Sequence, residues 1–487
     1  MEYQLYINGK WKNTESGSVV SDTVTGYVAE DKNPADDSVF ARVHFAGGAE
    51  VEEAIAAAQR AWRPWADTPA AQKEQILLKA ADWMQEHMDE VADVLMGESG
   101  SAFGKAYFEA GFAVDILRTA AGECRRVFGQ VQQQEAGEIS MIRRLPLGVV
   151  AGIAPFNFPL LLALKKVAFA LAAGNTFVLK PASATPVSGV MIAKALDGAG
   201  IPKGVFNLVP GSGEEVGNKL IEDERIRMVA FTGSTAVGRG IAAKASALFK
   251  KYSLEMGGKN PLILLKDFDV EQAVRIAGFG AFFHQGQICM CTSRLIVEEP
   301  VYDRFCEAFA AYARTMKVGD PHQKDTIIGP LIKQEQCQII DSQIQDAVSK
   351  GAVLMTGGTH EGNYYQPTVL KDVTPDMRIF YEESFGPVTS IIKAMDAQDA
   401  VRLCNDNQYG LSSSLLTNDL SKAMSLSLDM EAGMVHINNA TVSDNSTVAF
   451  GGVKNSGVGR EGGSYSIDEF TELKWITVQY TPAQLPF

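Results

Sequence analysis

Three residues in this chain are of types that do chemistry, each in a local setting that favours it. Cys289 lies in Phe283-His-Gln-Gly-Gln-Ile-Cys-Met-Cys, where a Gly-Gln pair lets backbone and side-chain amides crowd a thiol. A thiolate there would be a nucleophile, although a lone cysteine is more often a small buried filler. Glu255, in Leu254-Glu-Met-Gly-Gly-Lys-Asn, is a carboxylate among apolar neighbours with two glycines behind it. Burial raises the pKa of such a group toward the range of a general base. Asn157, in Ala154-Pro-Phe-Asn-Phe-Pro, sits between two prolines that would hold its amide rigidly enough to stabilise an oxyanion. Each residue alone is ambiguous; the three together point to nucleophilic attack on a carbonyl.

Two glycine turns could hold a phosphate. Phe231-Thr-Gly-Ser-Thr-Ala-Val-Gly follows an apolar run and opens a helical one, so its amides would point at an anion. Gly211-Ser-Gly-Glu-Glu-Val-Gly is a poorer match to a dinucleotide fingerprint, one residue too long and without the acidic partner downstream. Both also read as plain turns or caps.

The elements that must position these groups alternate. Apolar runs at Gly148–Ala154, Thr176–Lys180, Gly204–Val209, Arg227–Thr232 and Pro261–Leu265 read as strands. Helical patterns lie between them, near Leu160–Ala173, Pro186–Gly198, Glu214–Ile221 and Ala236–Leu248. Such alternation predicts an α/β fold with a doubly wound parallel sheet. Helical text also runs from Val51, through Leu77–Met96 and Tyr107–Ala121, after short N-terminal strands turning at Asn8-Gly9. A second alternating block, about Val270 to Thr417, predicts a second sheet. Gln130–Leu145 and Glu469–Tyr480 fit neither block; they read as edge ribbons or as strands offered to another subunit. There is no internal repeat, low-complexity tract or long linker.

At 487 residues the chain is long enough for two or three domains. Its 44 basic and 58 acidic residues leave a net charge of −14, which argues against nucleic acid and anionic membrane as partners. The most apolar stretch, Leu145 to Gly174, is broken by prolines and lysines and predicts no membrane span. Six cysteines are sparse, and the opening Met1-Glu-Tyr-Gln-Leu-Tyr lacks the basic and apolar regions of a secretory signal. We expect free thiols and a cytoplasmic location.

From end to end the sequence resembles the aldehyde dehydrogenase superfamily. The resemblance rests on Ala154-Pro-Phe-Asn-Phe-Pro, Val178-Leu-Lys-Pro, Phe231-Thr-Gly-Ser-Thr, Leu254-Glu-Met-Gly-Gly-Lys, Gly286-Gln-Ile-Cys, Glu382-Glu-Ser-Phe-Gly-Pro and Phe450-Gly-Gly-Val-Lys-Asn-Ser-Gly, in order. It implies a Rossmann-like cofactor domain (1–129 and 146–256), an α/β catalytic domain (257–455) and a β-ribbon oligomerisation arm (130–145 and 456–487). A homodimer or homotetramer is implied, with NAD or NADP as cofactor and no metal. Cys289 would attack the aldehyde, Asn157 and the Cys289 amide would hold the oxyanion, and Glu255 would activate water against the resulting thioester. Lys180 would hold the adenosine ribose, Gly233 and Ser234 the pyrophosphate, Glu383 and Phe385 the nicotinamide ribose and ring, and Gly213 and Gly217 the adenine side. Ala154, Pro155, Phe156, Ala182, Ser183, Phe231, Thr232, Val237, Gly238 and Met256 complete the implied cofactor contacts. Cys291 reads as a filler or as a group that tunes Cys289.

Two departures from the family pattern matter. Members that prefer NAD often carry a glutamate where this chain has Ser183, so NADP is expected to be tolerated. Phe156 stands in place of a tryptophan but remains aromatic. Glu255 argues against the CoA-acylating branch, which needs no hydrolytic base. The text around Cys289 is similar to bacterial benzaldehyde and vanillin dehydrogenases, with Phe158, Phe282, Phe283 and Tyr107 as candidate pocket aromatics. The alternative substrate is a semialdehyde of the succinate type, which would need a cation for its distal carboxylate. A catalytically silent binding protein is the alternative of a different class, and the intact Cys289, Glu255 and Asn157 speak against it.

Overall fold

A computed structural model describes residues 1–14, 24–25, 28–133, 137–482 and 487. Two large sheets carry the site. The first runs, from edge to edge, through Gly457–Val458, Lys251–Glu255, Ile226–Thr232, Val149–Ile153, Thr176–Lys180, Phe206–Leu208, Leu5–Ile7 and Lys10–Lys12. Its five central strands are parallel, and the short outer ones are antiparallel edges. The chain builds outward from Val149–Ile153 in one direction, then returns to lay Ile226–Thr232 on its other side. Such a reversal opens a crevice at the carboxyl ends of the strands, where ligands bind in open α/β sheets.

Parallel strands buried on both faces read as continuous apolar runs. Val149, Val150, Phe177, Val178, Leu179, Met228 and Val229 have no exposed surface. One face packs under the helices Ala70–Glu86, Phe103–Glu123, Leu161–Ala172 and Pro186–Gly198, the other against Gly48–Ala66 and Thr235–Ala247. The helix Pro186–Gly198 begins with proline at its first turn, where the missing N–H is no loss. The Glu98 carboxylate accepts the next two backbone N–H groups.

The second sheet is ordered Val353–Thr356, Thr368–Lys371, Val388–Ala394, Thr292–Glu298, Asn260–Leu264, Ser412–Leu416, Met434–Ile437. All its strands are parallel except the first. Pro261–Leu265, which alternation along the chain assigns to the first sheet, belongs here instead. Only four residues, 256–259, separate the strand Asn260–Leu264 from Lys251–Glu255, so the chain leaves one sheet and enters the other in a single step. The first sheet therefore turns its carboxyl ends toward the amino ends of the second.

The two outlying ribbons pair with each other. Glu138–Pro146 and Thr471–Gln479 run antiparallel in unbroken register from Glu138↔Gln479 to Pro146↔Thr471, and Gln130–Gln132 adds a third strand. The ribbon exposes Val131, Leu473, Trp475 and Tyr480. Among the described residues, no helix is long and apolar enough to cross a membrane.

Candidate active site

Asn157, Lys180, Gly233 and Glu255 all lie at or just past the carboxyl ends of first-sheet strands. Thr232 pairs in register with Glu255, and Lys180 with Ile153, so the groups are set side by side by the sheet itself. From the other side come Cys289, three residues before Thr292–Glu298, and Glu383 and Phe385, just before Val388–Ala394.

The Cys289 loop is built from three successive left-handed residues: His284 (φ 49°), Gln285 (φ 55°) and Gly286 (φ 69°). Left-handed backbone is costly for a side chain and persists only when its surroundings hold it. Gln285 supplies part of that hold, its Nε2 donating to the Gly100 and Pro330 carbonyls at 2.9 and 3.0 Å. At Gly286 a Cβ would lie 2.1 Å from the Gly386 carbonyl oxygen, so the position is closed to any other residue. Asn260 Nδ2 donates to the carbonyls of Cys289 and Cys291 at 2.7 and 3.0 Å, tying the loop to the strand that follows Glu255. Asn157 Nδ2 donates to the Gln287 carbonyl at 2.9 Å, which brings its amide beside the same loop and leaves its second N–H.

Asn157 is fixed in turn by a buried ion pair. Lys105 Nζ donates to the Asn157 carbonyl and to Ser101 Oγ, both at 2.8 Å, and to Glu109 Oε2 at 2.5 Å. The ammonium lies 4.2 Å from the centroid of the Phe158 ring. Glu109 Oε1 accepts the N–H groups of Leu160 and Leu161 at 3.0 Å, which capture the start of the next helix.

Burial opposes ionisation of both Cys289 and Glu255. Burial pushes the Cys289 thiol up, and the carboxylates of Glu383, Glu255 and Asp444 push it further. Burial also raises Glu255 well above the carboxylate range, with Glu461 adding to the effect and Lys166 opposing it. Neither Glu255 oxygen has a hydrogen-bond partner among the described residues. A buried carboxyl without protein partners is what a residue that works on water needs. Beside it Lys166 Nζ donates to Glu461 at 2.5 Å and to Thr232 Oγ1 at 2.6 Å.

The crevice has the features of a dinucleotide cradle. Lys180, buried at its strand end, donates to the Pro181 carbonyl at 3.0 Å, and burial lowers it to about 8. A Cβ at Gly217 would touch its stem at 3.9 Å; Gly213 has open space where a side chain would be. Ser183, next to Ala182, donates its hydroxyl to the Gly211 carbonyl at 2.9 Å, which closes the two loops on each other. The helix Thr235–Ala247 starts at Ser234, whose Oγ accepts from Val237, and Val237 itself is exposed. A Cβ at Gly238 would stand 2.2 Å from Met256 Sδ, so glycine is what lets this helix approach the strand end. Glu383 accepts from the Gly258 N–H at 3.2 Å, and burial raises it to about 7. Phe385 meets Phe156 edge-on at 5.7 Å, closing the crevice after Ala154 and Pro155. Among the described residues, no cluster of three or more His, Cys, Asp or Glu is placed to hold a metal.

Cys289 also lines a second, apolar cavity, walled by Phe108, Phe112, Phe158, Leu161, Leu162, Phe283, Ile288, Met290, Val442 and Phe450. Phe158 and Phe283 line it. Phe282 and Tyr107 do not: Phe282 stacks on Phe309 at 5.9 Å beneath the second sheet, and Tyr107 turns outward to Asp89 at 2.9 Å. Adjacent residues on one turn point different ways, so Phe283 faces the cavity and Phe282 the core. Phe108 and Phe112, one turn apart on Phe103–Glu123, were discoverable as a helical stripe. Asp444, the one charged residue among those described as lining the cavity, comes from irregular chain with no local signal.

A crevice of glycine turns at the strand ends, facing a cysteine at the mouth of an apolar cavity, is the layout of a dinucleotide-dependent oxidoreductase. The profile of the aldehyde dehydrogenase family matches residues 22–476. The chain is 40% identical over 484 residues to benzaldehyde dehydrogenase YfmT of Bacillus subtilis, covering 99% of this chain and 98% of that one. It is 40% identical over 477 residues to a vanillin dehydrogenase of Corynebacterium glutamicum, covering 97% of each. The crystal structure of a salicylaldehyde dehydrogenase from Pseudomonas putida G7 with salicylaldehyde superposes at a TM-score of 0.96, with 36% identity and full coverage of both chains. The protein belongs to the aldehyde dehydrogenase family, and it is an NAD(P)-dependent aldehyde dehydrogenase.

Proposed function

We propose that the protein oxidises an aromatic aldehyde to its carboxylic acid, with Cys289 as nucleophile. The observation that carries this reading is the cavity: five phenylalanines, Phe108, Phe112, Phe158, Phe283 and Phe450, converge with Cys289 on one apolar space. Flat rings offer a benzene ring edge and face contacts that an aliphatic chain uses less well. The described lining contains no lysine or arginine, so the distal carboxylate of a semialdehyde has no partner there. The similarity to benzaldehyde, vanillin and salicylaldehyde dehydrogenases supports the same class.

In this mechanism the Cys289 thiol gives its proton to water, and its sulfur then adds to the carbonyl carbon, giving a thiohemiacetal. The free N–H of Asn157 and the Cys289 backbone N–H stabilise the developing oxyanion. Lys180, the Gly233–Ser234 turn, Glu383 and Phe385 would hold the dinucleotide. A bound nicotinamide supplies the acceptor for the hydride whose loss turns the thiohemiacetal into a thioester. Glu255 then takes a proton from water, which attacks the thioester and releases the acid and the Cys289 thiolate.

We also assign the chain to a homodimer or homotetramer through its exposed ribbon, and to the cytoplasm. Six free cysteines, five of them buried, suit a reducing compartment. The test of the catalytic reading is kcat/KM for benzaldehyde and for succinate semialdehyde, each with NAD and with NADP, followed by absorbance of the reduced nicotinamide. An advantage of roughly 100-fold for benzaldehyde is expected, since specificity is a ratio of these constants. The same margin in favour of the semialdehyde would overturn the substrate assignment.

A further inference from the structure

The one charged residue among those described as lining the apolar cavity, Asp444, is anchored by an ion pair that stability does not account for. Its Oδ2 accepts from Lys165 Nζ at 2.6 Å, and its Oδ1 from the Asn445 N–H at 2.7 Å. The Lys165 side chain is 0% exposed and that of Asp444 9%. The ammonium sits 4.3 Å from the centroid of the Phe450 ring and 5.9 Å from that of Phe112, two rings of the cavity wall. Removing both charges from water costs about as much as their attraction returns, and apolar side chains of the same volume pack as well or better. What the pair supplies is a carboxylate of fixed orientation. A carboxylate has about four lone-pair sites, and here two are used.

We propose that Asp444 is a specificity-determining residue that accepts a hydrogen bond from a hydroxyl on the aldehyde's aromatic ring, so that hydroxylated benzaldehydes are the preferred substrates. The proposal rests on the aromatic reading above and deepens it. A phenolic O–H donating to a carboxylate forms a charge-assisted bond, strengthened by apolar surroundings. A methoxy group at the same ring position has only lone pairs to present, and it meets the carboxylate without a proton between them. A distal carboxylate would meet like charge. Asp444 thus favours a ring donor and disfavours both a ring ether and a dicarboxylic product.

The test measures kcat/KM of the full-length enzyme at saturating cofactor and mildly acidic pH, where the phenol keeps its proton. The substrates are 3- and 4-hydroxybenzaldehyde, the two matching methoxybenzaldehydes, benzaldehyde and succinate semialdehyde. At one ring position at least, hydroxyl is expected to exceed methoxy by roughly 10- to 100-fold, the range of a hydrogen bond to a charged group. In the double variant Lys165→Met/Asp444→Leu, which replaces the pair by apolar volume, that ratio should fall to within about threefold of unity. If that variant fails to fold, Asp444→Asn, which removes the charge and keeps the shape, should lower the ratio by about fivefold or more. Ratios near unity at both positions in the unmodified enzyme, with benzaldehyde still ahead of the semialdehyde, would overturn the role of Asp444 and leave the aromatic reading standing. A hydroxyl preference that survives loss of Asp444 would place its acceptor elsewhere and overturn the proposal. A semialdehyde ahead of every ring substrate would remove the aromatic reading itself.

Discussion

Burial opposes ionisation of Cys289 and Glu255, the two groups that the proposed mechanism needs charged, and this makes their roles separable by experiment. Cys289→Ala removes the covalent step and should lower turnover by about a thousandfold or more, while cofactor affinity by equilibrium binding changes little. Glu255→Gln should leave the first turnover and slow the rest, seen in stopped flow as a burst of reduced cofactor followed by a weak steady rate. Loss of the burst would place Glu255 in an earlier step. Because the Cys289 thiol is pushed up, alkylation of the cofactor-free protein should keep accelerating with pH through the alkaline range, with no plateau near neutrality. Lys180 gives a pH dependence of opposite use. Its side chain is lowered to about 8, so it is a cation below that pH and neutral above it. The position that often carries a glutamate in this family holds Ser183, whose hydroxyl is turned to the Gly211 carbonyl. A 2′-phosphate held by Lys180 would therefore meet the ammonium without a competing carboxylate. We expect kcat/KM for NADP to fall by up to about tenfold per pH unit above about 8, and the value for NAD to fall less. Parallel profiles for the two cofactors would take Lys180 away from the 2′-phosphate.

At the scale of single elements, the helix Phe103–Glu123 links the Asn157 turn to the apolar cavity, which its Phe108 and Phe112 line together with Cys289. Its Lys105–Glu109 pair reaches both the Asn157 carbonyl and the start of the helix Leu161–Ala172. Lys105→Met leaves the Glu109 carboxylate buried and unpaired, a change that typically costs about 3–5 kcal/mol. A clear drop in thermal midpoint is expected, with most of it recovered in Lys105→Met/Glu109→Gln, because glutamine keeps an acceptor for Leu160 and Leu161 and carries no charge. An equal midpoint in the single and double variants would mean that the stranded carboxylate is not the cause. This helix is readable from the sequence, as are Thr176–Lys180 and Pro186–Gly198, whose apolar runs and initial proline state their conformation locally. Lys251–Glu255 is harder to see, since Lys-Tyr-Ser-Leu-Glu is short and half polar. Its place follows from pairing with Ile226–Thr232, a contact that periodicity does not encode. The predicted helix Glu214–Ile221 forms as a widened turn over Gly213–Gly217 followed by Asn218–Glu222, with Ser212 capping it through the Glu215 N–H. Cys289, Glu255 and Asn157 stand out because glycines and prolines mark the turns that carry them. Asp444 and the Lys166–Glu461 pair do not, since each depends on a partner about 280 or more residues away.

For the whole molecule the exposed face of the ribbon is the feature with the largest consequence. Glu138–Pro146 and Thr471–Gln479 form a long antiparallel pair, yet Leu473, Trp475 and Tyr480 are more than half exposed. Leu473 and Trp475 share one face of their strand, and large apolar side chains exposed side by side on a folded chain point to an interaction site. The net charge of −14 makes copies of the chain repel at long range, so association has to come from apolar contact at a defined place. Trp475 is held ready for such contact, its indole N–H donating to Ser140 Oγ at 2.9 Å across the ribbon. The double substitution Leu473→Asp/Trp475→Asp puts two charges on that surface and alters no residue of the active site. In sedimentation velocity the unmodified protein is expected as a dimer or tetramer, and the variant as a smaller species with more mass in monomer. Retained kcat/KM in that smaller species would show that each chain carries a complete site. An unchanged sedimentation coefficient would mean that the ribbon is not where the copies meet. The second measurement is informative because every group placed in the proposed reaction, from Cys289 and Glu255 to Asn157 and Lys180, comes from one chain.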